Sequence, residues 1–112
     1  MEFDRFTITL LLTNPDAPEI DEARRAELQD AHMAHLADLH EQGVLLAAGP
    51  LSDPHFRGLS ILNVDADRAQ ELKEADPAVQ AGIFTVQSIP WMIPGGAMHF
   101  TPTFFPRGVA DI

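Results

Sequence analysis

Five histidines and no cysteine set the chemistry open to this chain. His32, His35 and His40 share one stretch of helical period, where an imidazole can serve as general base, proton donor or metal ligand. Without cysteine there is no thiolate nucleophile, no disulfide framework and no thiolate-bound zinc or iron–sulfur centre. Gly-x-Gly-x-x-Gly, Walker A and Gly-x-Ser-x-Gly patterns are absent, so dinucleotide, phosphate-loop and serine-hydrolase chemistry lose support. Proton transfer between imidazole and carboxylate remains. It suits elimination, isomerisation or hydrolysis of a small cyclic or aromatic molecule, with no cofactor called for.

The elements that must position these groups follow from the hydrophobic pattern. Phe6, Ile8, Leu10 and Leu12 alternate at period two, with threonines between them, and predict a strand over 6–12. Turn chemistry over Asn14–Pro18 ends it. From Asp21 to Gln42 the period becomes helical, with Leu28, His32, His35, Leu36 and Leu39 on one stripe. Asp21 is the expected N-cap and Gly43 the expected left-handed residue after the helix. A helix of that length spans roughly 30 Å, against about 20 Å for the strand, so its N-terminal half is expected to overhang the sheet. Strands are predicted at Val44–Ala48, Gly58–Val64 and Ile83–Ile89, with a loop over Ser52–His55. A second helix is capped by Asp65, places Ala66, Ala69, Leu72 and Lys73 inside, and ends before Pro77. One further helical turn is expected over Ala78–Gly82. Residues 92–112 form an aromatic-containing C-terminal extension to a domain of residues 1–91, expected to pack on that domain or on a partner.

The order β-α-β-β-α-β is the split arrangement of a ferredoxin-like α+β sandwich, with both helices on one face of a four-stranded antiparallel sheet. Leu11, Leu62, Val64, Phe84 and Val86 are then expected on the uncovered face, and an apolar face of that kind predicts a homodimer. The same topology runs the two helices antiparallel, so the end of the second meets the early turns of the first and brings Asp76 near His32. A carboxylate beside an imidazole fixes the tautomer a general base requires. A satisfied core histidine locked by a structural carboxylate would have the same sequence pattern.

The run from His32 through Gly43, Gly49 and Pro50 to Leu51 resembles the signature of the YciI-like, or YCII-related, family, as does Ala75-Asp76-Pro77 through Gly82 followed by a strand and Pro90-Trp91. The likeness covers about residues 6–91. It implies a dimeric ferredoxin-like α+β fold in which His32 and Asp76 occupy the positions of the family's proposed catalytic pair. It also implies that chloride elimination from a chlorinated hydroxyhydroquinone is one activity within the family. The chain departs from the pattern in its extension from Met92 and in a short loop over Ser52–Arg57.

Gly49 and Pro50 read either as a strand terminator or as the edge of a substrate pocket. Arg57 is a candidate for an anionic substrate, or a solvated surface residue. His35 and His40 raise a metal site, but His-x-x-His without a third ligand is a weak pattern and no metal is expected. His55 and His99 read as surface residues. With 17 acidic against 7 basic residues and a formal charge of −10, the chain is a poor partner for nucleic acid or anionic lipid. No apolar run reaches the ~20 residues of a membrane span, and Met1–Arg5 lack the basic start of a secretory signal. The reading is a cytoplasmic protein acting on a small-molecule substrate through His32 and Asp76, with Gly49, Pro50 and Arg57 contributing to substrate binding. Its rival is a non-catalytic dimeric module that binds a small ligand or a protein. A cofactor-free monooxygenase of the dimeric α/β-barrel type shares the fold but fits the spacing from His32 to Gly49-Pro50 less well.

Overall fold

The computed structural model describes residues 1–112. Four strands, β1 (Phe3–Thr13), β2 (Leu45–Pro50), β3 (Phe56–Leu62) and β4 (Phe84–Pro94), form one antiparallel sheet in the order β2-β3-β1-β4. Helices α1 (Glu22–Glu41), α2 (Ala66–Glu74) and the single turn α3 (Pro77–Gln80) complete an α+β architecture consistent with a ferredoxin-like sandwich. The helix ends follow their local chemistry. Asp21 accepts the Arg24 N–H and Asp65 accepts the Arg68 N–H, each at 2.8 Å, while Gly43 takes φ +76° just after α1. Residues 22–27 are exposed, so the first turns of α1 do overhang the sheet. No helix is long and apolar enough to cross a membrane.

The covered face of the sheet is the opposite of the one expected. Leu39 of α1 and Ala69 of α2 pack on Leu45 and Leu62, with Val64 against the same cluster. The register places Thr7, Thr9 and Leu11 of β1 on that side, together with Phe84, Val86 and Ser88 of β4. Phe6, Ile8, Leu10 and Leu12 instead share the open face with Leu59, Ile61 and Ile89. Leu11 and Leu62 are therefore core residues, and Val64, Phe84 and Val86 are half-buried on the helix side, so the five form no open face. The alternation of β1 is ambiguous because threonine can be buried when its hydroxyl finds an acceptor, as Thr7 does at 2.6 Å on the Val64 carbonyl. Thr9 is equally buried, but its hydroxyl has no partner. Thr7→Val is accordingly expected to lower stability by about 1 kcal/mol. Thr9→Val, which removes an unsatisfied hydroxyl, is expected to be neutral or stabilising. Chemical denaturation of the two variants checks the contrast, and equal losses would refute it.

Two strands run further than their prolines suggest. β4 continues through Pro90 and Trp91 to Pro94, pairing with β1 down to Phe3, and β2 continues through Gly49 to Pro50, opposite Gly58. Both are edge strands, where a residue without an N–H can face outward and break no ladder bond. In α1 the buried positions are Leu28, Met33, Ala37 and Leu39, with His32, His35 and Leu36 half-buried beside them.

After β4 the chain first meets the open face of the sheet and then runs along α1. Phe100 sets its ring edge-on against Phe6, with centroids 5.4 Å apart. Phe105 stacks on His40 at 4.1 Å, Arg107 pairs with Asp38 at 2.8 Å and Glu41 at 2.7 Å, and Asp30 accepts the Val109 N–H at 2.8 Å. These contacts lay the arm against its own domain.

Candidate active site

The end of α2 is brought to α1 by the dipeptide Asp76-Pro77. A residue before proline is held extended, and Asp76 has ψ 128°, the geometry of a helix N-cap. Its Oδ1 accepts the Ala78 N–H at 2.8 Å, which aims Oδ2 at α1, where His32 Nδ1 lies 2.5 Å away. Asp76 is fully buried and His32 partly so, at 0% and 14% side-chain exposure. Burial alone would push the Asp76 carboxyl up. The hydrogen bond and charge of His32, the Ala78 N–H and the charge of Lys73 outweigh it and hold Asp76 below the usual carboxylate range. An ionised Asp76 accepts the Nδ1–H of His32, so the neutral imidazole carries its lone pair on Nε2, which has no protein partner.

His32 is on the wall of a cavity of about 410 Å³ between α1, the sheet and the C-terminal arm. Gly49, Pro50 and Arg57 line it too, while Asp76 stands behind His32, off the lining. Nothing lies within 4 Å of where a Gly49 Cβ would stand, so the space beside it is open. Arg57 is exposed and donates to the Asp53 carbonyl at 2.9 Å. The other α1 histidines point elsewhere. His35 Nε2 bonds the Leu72 carbonyl at 2.9 Å, while His40 bonds the Leu45 carbonyl through Nδ1 at 2.7 Å and accepts the Thr103 N–H at Nε2 at 3.1 Å. Each ties α1 to a different segment. His55 sets its ring against Phe56, and His99 is exposed on the arm.

Several lining residues were not singled out as site residues in the sequence. Phe105, Pro106 and Ile112 make the arm one wall of the cavity. Lys73 and Ser60 lie on the lining as well, both buried, with Lys73 Nζ donating to Ser60 Oγ at 3.3 Å. Burial pulls the Lys73 ammonium down from 10.5 to about 8, and the charge of Asp76 opposes this in part. The available signal was a single lysine on the apolar stripe of the second helix.

A model of the YCII-related domain matches residues 8–92, about three-quarters of the chain. The chain belongs to the YCII-related family. Within the region that makes it so lie His32, Asp76, Gly49, Pro50, Arg57, Ser60 and Lys73; the arm lies outside it. The YCII-related chain is 36% identical to Protein YciI of Escherichia coli O6:H1 and to Protein YciI of Shigella flexneri, each match covering 59% of this chain and 78% of the relative. Among solved structures it is similar in fold to the 5-chloro-2-hydroxyhydroquinone dehydrochlorinase of Burkholderia phenoliruptrix AC1100, in complex with 2,5-dihydroxybenzoquinone. That match has a TM-score of 0.56 at 19% identity and covers 81% of this chain and 95% of the other.

Proposed function

We propose that this YCII-related protein is an acid–base enzyme acting on a small cyclic or aromatic molecule, with His32 as the proton acceptor and Asp76 as the carboxylate that orients it. The observation that carries the reading is that His32 lines a cavity with its Nδ1 committed to a buried carboxylate and its Nε2 without a protein partner. A proton taken at Nε2 makes an imidazolium, and the adjacent carboxylate offsets its charge. Gly49, Pro50 and Arg57 border the space a ring would fill. The fold relative that handles a chlorinated hydroxyhydroquinone supports elimination from a ring as the first reaction to try.

The test is a panel of halogenated phenols, hydroxyquinones and small cyclic ketones, followed by proton NMR of His32 and by product formation. At least one compound is expected to shift the His32 ring signals and to turn over, with turnover lost in Asp76→Asn. Absence of any perturbation at His32 across the panel would overturn the reading.

We further propose that two copies associate through the open sheet face as a homodimer. Ile8, Leu10, Leu59, Ile61 and Ile89 make that face apolar, and a contiguous apolar surface marks an interface. Sedimentation equilibrium at micromolar protein reads the assembly, and a monomer at all concentrations would dismiss it.

A further inference from the structure

Lys73 is a charged group in the wrong place for a structural lysine. A lysine packed against a core ordinarily buries its methylene stem and keeps its ammonium in water. Here the whole side chain is buried, at 0% exposure, on the inner face of α2. Its ammonium has three donors and makes one hydrogen bond, to Ser60 Oγ. It forms no ion pair, and the carboxylate whose charge reaches it, Asp76, is already committed to His32 and to the Ala78 N–H. Beneath it the sheet is polar. Ser60 and Thr9 are register partners at the centre of the covered face, both buried, and the Thr9 hydroxyl is unpartnered. Donors left unspent inside a protein are costly unless something brings an acceptor to them. The cavity lined by His32 is lined by Lys73 and Ser60 as well.

We propose that Lys73 and Ser60 form an anion-binding corner on the cavity floor, which holds the ionised oxygen of a ring substrate while His32 takes its proton. The inference rests on the acid–base reading above and names the substrate class for it: acidic ring compounds such as hydroxyquinones, phenols and cyclic 1,3-diones. In the step concerned the substrate O–H or acidic C–H bond breaks. The proton goes to His32 Nε2, and the electron pair becomes the charge on the ring oxygen. An ammonium N–H aimed at that oxygen in a site of low dielectric stabilises the charge as it develops. The charged and titratable groups around Lys73 are Asp76 at the start of α3, His32 on α1 and Arg57 at the start of β3. Of the two cations, arginine keeps its charge at any pH the protein tolerates, whereas Lys73, drawn down to about 8, loses its charge in mildly alkaline solution.

The experiment compares two probes of similar size: 2,5-dihydroxybenzoquinone, an anion at neutral pH, and hydroquinone, neutral there. Binding is read by absorbance and by the His32 NMR signals, in the wild type and in Lys73→Met, which keeps the stem and removes the charge. The quinone anion is expected to bind the variant about tenfold or more weakly, the scale of a hydrogen bond to a charged group. Hydroquinone is expected to bind both alike. In the wild type, which needs no variant to fold, quinone affinity is expected to fall as pH rises through about 8. Unchanged quinone binding in Lys73→Met, or equal loss for both probes, would overturn the corner and leave the acid–base reading standing. If neither probe reaches His32 in the wild type the corner fails, and if no compound of the panel does so either, the acid–base reading fails with it.

Discussion

Asparagine at position 32 is expected to lower turnover by about 10²–10⁴-fold, the usual contribution of a positioned general base. The choice of asparagine separates chemistry from architecture. Its amide nitrogen falls close to the position of imidazole Nδ1, so it can still donate to Asp76 Oδ2 and keep α1 joined to α3. What it lacks is any atom at the position of Nε2, the nitrogen without a protein partner. Stability is therefore expected to stay within about 1 kcal/mol of wild type, the scale of one hydrogen bond. His32→Ala would confuse the two effects, since a buried carboxylate deprived of its partner costs about 3–5 kcal/mol. Turnover on the compound that emerges from the panel, measured beside a denaturation curve, decides it. An active His32→Asn protein would remove His32 from the mechanism.

Lys73→Met is expected to make the protein more stable. Burial depresses Lys73 from 10.5 to about 8, so the folded state holds its proton less tightly than the unfolded chain does. The penalty is fully present below pH 8 and is relieved as pH rises from about 8 towards 10.5, where the unfolded chain binds more protons than the folded one. At 1.36 kcal/mol per unit this amounts to roughly 3 kcal/mol, less about 1 kcal/mol for the Ser60 hydrogen bond that methionine cannot make. A gain of about 2 kcal/mol at pH 7 remains, and it should shrink towards pH 10. Urea unfolding of both proteins across that range reads it. A variant less stable than wild type at pH 7 would mean that Lys73 is a structural donor. A buried group that lowers stability is what a fold carries where it trades stability for binding or catalysis.

The approach of His32 to Asp76 was legible because it depends on topology alone. Antiparallel helices on one sheet face put the end of α2 beside the early turns of α1, and Asp76-Pro77 fixes where that end lies. Which sheet face is covered was not legible from β1. Its two sides offer leucine and isoleucine against threonine and leucine, and the decision rests on acceptors such as the Val64 carbonyl, which belong to the tertiary structure. The prolines of β2 and β4 misled for a related reason, since a proline ends a central strand but not an edge strand, and edge position follows from strand order. Lys73 was read correctly as an inward position. Its chemistry escaped notice because sequence alone does not show whether the ammonium escapes to water at the end of its stem.

The C-terminal arm gives the cavity a wall of a different character from the rest. Phe105, Pro106 and Ile112 are held over the site by Arg107 and its two exposed carboxylates, with Asp30 farther along α1. Exposed pairs of this kind weaken as the Debye length contracts, from about 10 Å at 0.1 M salt to about 3 Å at 1 M. Ionic strength thereby bears on the Arg107 end of the arm and not on its Phe105 end, which the stack on His40 holds to α1 without an ion pair.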